Sequence, residues 1–233
     1  MAVVRMLRLD GLDVAMIGAS CCVSDEIPIQ PNPKALLSAV KAGHLSVLEH
    51  AVASFAIEGI SRVAETQLVR HRLASYSIQS GRYCTRDPLD YAVPDTCAKA
   101  WSSLDDAVAV YNGALRHLDR AMTEAGIPAE DRRMFYPQGT ETNIVMTVNL
   151  RELSHICQLR RCSRAQDEIR ELFDTVARKV CTVLKHKGLG ELALLFEPQC
   201  VALGYCPEAK GCGRSPSWSD IMDRIQPPSA GDE

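Results

Sequence analysis

Residues 70–82 read RHRLASYSIQSGR: three consecutive cationic or titratable side chains, a serine-rich run, then a glycine before a further arginine. Guanidinium groups fork onto phosphate oxygens, and a glycine lets backbone N–H groups come close to an anion. Ser80-Gly81-Arg82 therefore has the make-up of a phosphate cradle. If the chain is helical as far as Arg72, successive residues stand about 100° apart, so Arg70, His71 and Arg72 cannot all face one ligand. Gln67 lies three and four positions before Arg70 and His71 and shares a helical face with them. Ser75, Ser77 and Ser80 show no apolar helical period, which predicts a loop. Taken alone, an RHR triplet is an ordinary solvated helix end, and its neighbours decide whether it is more.

Three other stretches carry chemistry. His44-Leu-Ser-Val-Leu-Glu49-His50 holds two histidines and a carboxylate, but zinc is excluded by geometry, because a helical HExxH site needs its histidines four apart. Glu130-Asp-Arg-Arg133 with Pro137 is a charged turn containing an aromatic pair. Residues 160–164 (RRCSR) set basic side chains at what reads as a helix start, where free N–H groups already favour anions.

The 70–82 stretch matches RHRxxSxNxxSxR, and so resembles the signature of the flavin-dependent thymidylate synthases. Arg70, His71, Arg72, Ser75, Ser80 and Arg82 fit, Ser77 stands where the pattern has Asn, and Ile78 replaces a Glu or Gln. H-x-S-x-x-E-H from His44, E-x-x-R-x-x-x-P from Glu130, and NxRxLxxxxxLRxxxxAQxEIR from Asn149 to Arg170 resemble further motifs of the same family, in the same order.

The resemblance implies reductive methylation of dUMP to dTMP. Methylenetetrahydrofolate gives the carbon, and FAD reduced by NADPH carries the hydride. It implies dUMP contacts from Gln67, Arg70, Gln79, Ser80, Gly81, Arg82, Arg133 and Arg160, with Arg160 at the uracil ring as the catalytic group. FAD contacts fall to Ser46, Arg70, His71, Arg72, Ile78, Asn149, His155 and Arg164, and His44 lies beside flavin and folate. The implied assembly is a homotetramer with shared sites, and the implied fold is mixed α/β (α+β): an antiparallel sheet with long packed helices. No metal is implied. The residues themselves agree in one respect: every ligand of that reaction is anionic, and the cations occur in several separated clusters.

The elements that must hold these residues are legible in part. Residues 3–9 and 140–148 read as strands, as do residues 51–58 before Gly59. Residues 15–19 read as a short packed helix with buried thiols at Cys21 and Cys22, and residues 34–41 as a helix ending at Gly43. Trp101, Leu104, Val108, Tyr111, Leu115, Leu118 and Met122 alternate spacings of three and four, predicting a long helix with a seam for core packing or for another helix, including one from a second subunit. Asn149 with Glu152, and Ser163 with Gln166, read as capping boxes. The helix after the second buries Ile169, Leu172, Phe173, Val176, Val180 and Val183.

At 233 residues and 46% hydrophobic, the chain suits one compact domain, expected over residues 1–213 with a mobile tail over 214–233. A net charge of −3 creates no field for nucleic acid, and no apolar run reaches membrane-spanning length. Ten cysteines are too few for a disulfide scaffold, and no secretion signal is visible, so a reducing, cytoplasmic setting is expected. Cys200, Cys206 and Cys212 lack paired C-x-x-C knuckles, so no metal site is expected there. A catalytically idle nucleotide- or RNA-binding protein using the same basic loop is the competing reading. The RNA version needs stacking aromatics among the cations, and only Tyr76 and Tyr83 are present, which counts against it.

Overall fold

Four segments with strand alternation pair into one antiparallel sheet. The computed structural model describes residues 2–84 and 87–225. In it β1 (Val3–Asp10), β2 (Val52–Ser61), β3 (Ala74–Ile78) and β4 (Glu141–Asn149) stand in the order β1-β2-β4-β3. Period-two burial sets the register: Phe55 pairs with Met146 and Ile57 with Ile144, all pointing into the core.

The inner face is covered by α7 (Leu150–Arg160) and α8 (Asp167–His186) together with α1 (Leu12–Cys21), α2 (Pro33–Lys41) and α3 (Arg62–Leu68). α8 buries Ile169, Leu172, Phe173, Val176, Ala177, Val180 and Leu184 along one stripe. Each buried Val, Leu, Ile or Phe of that stripe contributes about 1.5–3 kcal/mol relative to exposure. Asn149 caps α7 as its sequence predicts, its Oδ1 accepting from the Glu152 N–H at 2.8 Å.

Several expectations are corrected. α3 stops at Leu68, so Arg70, His71 and Arg72 lie in the turn that follows and not on the helix. The predicted loop at 74–78 is strand β3. Ala74, Tyr76 and Ile78 pack against the core, while Ser75 and Ser77 are exposed. The helix cap before α8 is Gln166, with no side-chain cap bond, rather than Ser163. Cys21 and Cys22 are exposed thiols, beyond the end of the buried face of α1.

The long seam is divided. After α4 (Asp95–Ala100) and a 3-10 turn at Trp101–Ser103, helix α5 spans Asp105–Glu124. α5 buries only Leu115 and Met122, and leaves Val110, Tyr111 and Leu118 exposed. Short helices α6 (Ala129–Arg132) and α9 (Gln199–Leu203) follow in chain order. Within the expected tail, residues Trp218–Ile225 form α10, and the Trp218 ring packs against Tyr205 at a tilt of 54°, with 5.0 Å between centroids. Residues 226–233 lie outside the described residues.

Candidate functional site

β3 carries a polar cluster at each end. At its exit, Ser80-Gly81-Arg82 turns beside the 129–137 segment. Ser80 Oγ accepts from the Arg82 N–H at 3.2 Å, and its carbonyl accepts from the Cys84 N–H at 3.1 Å. Arg82 Nε meets Glu130 Oε2 at 2.7 Å, and Arg133 Nε donates to the Glu130 carbonyl at 3.1 Å. Arg133 lies so close over Gly81 that a β-carbon there would stand 3.0 Å from its Cδ. A cleft of about 600 Å³ opens here, lined by Arg62, Ile78, Gln79, Ser80, Gly81 and Arg133 among others.

Buried Arg132 ties the 129–137 segment to α5. Its Nη1 bonds the Thr123 hydroxyl and approaches Asp119 Oδ1 at 3.5 Å, and the Tyr136 phenol donates to the same Asp119 oxygen at 2.6 Å. Burial and that hydrogen bond push the Tyr136 phenol up to about 12.

At the entry to β3, His71 is buried. Arg160 Nε, at the last residue of α7, donates to His71 Nε2 at 2.9 Å, and Arg160 Nη2 donates to the Gln67 carbonyl at 3.1 Å. Tyr76 Oη donates to the Leu68 and His71 carbonyls, both at 3.0 Å, fixing the turn from inside. Glu152 Oε1 stands 3.8 Å from His71 Nδ1, and His155 meets the His71 ring edge-on at 6.3 Å between centroids. Burial, then the Arg160 charge, then His155 hold His71 down at about 4, so it is neutral at physiological pH. Arg160 is itself lowered, first by burial and then by the neighbouring Arg70 charge. Gln67 Nε2 reaches Gln166 Oε1 at 2.5 Å.

A third recess of about 280 Å³ holds Arg72, Ser75, Glu49 and Asn149. His44 and Ser46 are exposed at the start of the 3-10 turn Leu45–His50, which Glu49 ties to Arg151.

The structure thus brings together Gln79, Ser80, Gly81, Arg82 and Arg133 at one end of β3, and Gln67, Arg70, His71, His155 and Arg160 at the other. The ends of β3 are about 13 Å apart, from four steps of roughly 3.3 Å. Arg160 ends a helix rather than starting one, so no helix N-terminus assists it. Arg164 is engaged elsewhere, donating to Glu208 and to the Lys210 carbonyl, both at 3.0 Å. Ile78 packs against the core and also lines the cleft beside Ser80.

Sequence reasoning missed Glu152, read there only as a capping residue. No spacing signals that its side chain turns inward to His71. Tyr76 offers no stacking platform for RNA bases, because its ring packs on the core and its phenol is committed to two backbone carbonyls. That removes one of the two aromatics such a loop requires.

Among the described residues no group of three His, Cys, Asp or Glu side chains can hold a metal ion, and no helix is long and apolar enough to cross a membrane.

Residues 12–184 match the family described as thymidylate synthase complementing protein. The chain is 39% identical over 198 residues to a flavin-dependent thymidylate synthase of Thermococcus onnurineus, covering 77% of this chain and 76% of the relative. It is 42% identical over 183 residues to one of Geobacter sulfurreducens, covering 74% and 73%. Among solved structures, thymidylate synthase X from Helicobacter pylori with FAD and dUMP superposes with a TM-score of 0.61 at 25% identity, over 83% of this chain and 99% of that one.

Proposed function

The chain belongs to the family of flavin-dependent thymidylate synthases, and from that premise we propose that it methylates dUMP reductively to dTMP. The carbon comes from methylenetetrahydrofolate and the reducing equivalents from NADPH by way of FAD. When bound, the flavin supplies the hydride chemistry. The chain's own residues bind, orient and stabilise charge.

The observation that carries this reading is Arg160. A permanently charged guanidinium is held from two sides, by the His71 ring and the Gln67 carbonyl. Facing a uracil ring, it stabilises the negative charge that builds up as C5 becomes nucleophilic, a preorganised role that costs no reorganisation during reaction. Ser80, the backbone at Gly81, and the Arg82 and Arg133 side chains take the nucleotide phosphate, with Gln79 beside them.

The donor set also fits an anionic dinucleotide. Arg70, Arg72 and His155 are exposed cationic or imidazole groups around one turn, and Asn149, with Oδ1 committed to its helix cap, keeps its amide N–H donors. Ser46 and His44 lie on the exposed turn suited to flavin and folate. Arg164 reaches the flavin only after leaving Glu208.

The spacing of the two clusters, about 13 Å along one strand, favours closing each nucleotide site with residues of a second copy. We therefore assign the complete site to a homotetramer, in which Arg82 and Arg160 around one dUMP come from different copies. The exposed seam residues Tyr111 and Leu118 of α5 form a surface fit for such contacts. Residues 1–213 form the functional unit, with small molecules rather than nucleic acid as ligands and the cytoplasm as its setting.

The test is spectroscopic. Purified protein should bind FAD and appear yellow, and NADPH should bleach it faintly without dUMP and fully with it. A colourless protein that does not take up FAD contradicts the reading.

A further inference from the structure

Glu152 is a carboxylate buried among apolar neighbours on α7, a position whose cost calls for a partner. Its N–H serves the Asn149 cap, but its side chain turns to the core side and faces His71. α7 thus presents Glu152, His155 and Arg160 to one imidazole, while the Tyr76 phenol and the Leu68 carbonyl hold that imidazole's backbone from β3 and α3.

The proton positions follow from donor chemistry. A guanidinium has donors and no acceptor, so the Arg160 Nε contact at 2.9 Å requires a lone pair on His71 Nε2. In a neutral ring the hydrogen then sits on Nδ1, the nitrogen that faces Glu152. At 3.8 Å this is an electrostatic contact rather than a hydrogen bond. A carboxylate there favours the Nδ1–H tautomer and disfavours the one that would turn an N–H against Arg160.

We propose that Glu152 is a positioning residue: by fixing the tautomer of His71 it keeps Nε2 an acceptor, which holds the Arg160 guanidinium in its reactive orientation. The inference rests on the reading of Arg160 as the group that meets the uracil ring. It adds a member to the site that touches neither substrate nor cofactor.

Two variants test it in the full-length, FAD-loaded protein. Glu152→Leu removes the acceptor with similar volume, and Glu152→Gln keeps a carbonyl that can face Nδ1–H. The first readout is the 15N chemical shifts of the His71 ring nitrogens, which report the tautomer without reference to activity. Wild type and Glu152→Gln should show Nδ1–H, and Glu152→Leu a mixture.

The second readout is turnover. Glu152→Leu should lower kcat about tenfold, the scale of a slightly misplaced catalytic group, with FAD still bound and the dUMP KM within about twofold. In a His71→Asn background the same change should cost nothing further, because both act through one chain of contacts. An unchanged His71 tautomer in Glu152→Leu, an unchanged kcat, or additive losses in the double variant would each overturn the proposal. A wild-type protein that forms no dTMP is a separate failure, of the Arg160 reading itself, and removes the positioning role with it.

Discussion

Arg133 lies against Gly81, with the site of a β-carbon at residue 81 standing 3.0 Å from Arg133 Cδ and 3.3 Å from its Nη1. The backbone at Gly81 has no positive φ, so it is the space and not the conformation that calls for glycine. Gly81→Ala should leave the fold intact, because the atoms it displaces end a flexible side chain. The displaced Arg133 should raise the dUMP KM by about tenfold, the equivalent of about 1.4 kcal/mol, with FAD affinity unchanged. Steady-state kinetics beside an FAD titration decide it.

Arg82 and Glu130 form an ion pair at 2.7 Å with both side chains about half exposed. Such a pair contributes about 0–1 kcal/mol to stability. Arg82→Ala should accordingly melt within a few degrees of the wild type while strongly raising the dUMP requirement and leaving FAD bound. Equal loss of both ligands would remove Arg82 from the phosphate end of the site.

His71 titrates near 6.5 in the unfolded chain and near 4 in the folded one, chiefly through burial. Between those values the unfolded state binds more protons, so stability rises with pH through the window. The contribution is complete above about 6.5 and is lost as pH falls toward 4. Denaturant unfolding of wild type and His71→Asn from pH 7.5 to 4 should show a component of acid destabilisation that the variant lacks.

Sharing of sites between copies predicts complementation. Arg82→Ala and Arg160→Ala homo-oligomers should each be nearly inactive. Unfolded together and reassembled in equal amounts, they should regain about a quarter of wild-type turnover, because that fraction of sites draws both intact residues from different copies. No recovery in a correctly sized assembly would mean that one chain supplies both arginines.

Much of this was legible in the sequence where a single physical period dominates. The strand at 140–148 and the buried stripe of the 167–186 helix follow from alternation and from a 3.6-residue repeat, and the Asn149 cap from its side-chain chemistry. The run after Leu68 was not legible. Its serines alternate with Ala74, Tyr76 and Ile78, a period-two pattern partly hidden because small polar residues look like loop. The end of the helix at Leu68 is hidden for a similar reason, since nothing in Arg70-His71-Arg72 marks the turn that the Tyr76 phenol holds. At the site, residue types and motif order identified Arg82, Arg133 and Arg160. Which of them stand together depends on strand pairing that spacing does not encode. The inward turn of Glu152 is a tertiary fact of the same sort.

The most direct test is an anaerobic assay for dTMP from dUMP with methylenetetrahydrofolate and NADPH, run on wild type and Arg160→Lys. The lysine keeps a charge but loses the forked contacts to His71 and the Gln67 carbonyl. The account predicts dTMP formation by the wild type, and loss of at least about 100-fold in kcat for the variant, on the scale of removing one preorganised donor, with fold and FAD content retained. A near-normal rate for Arg160→Lys, or no dTMP from FAD-loaded wild-type protein, would contradict it.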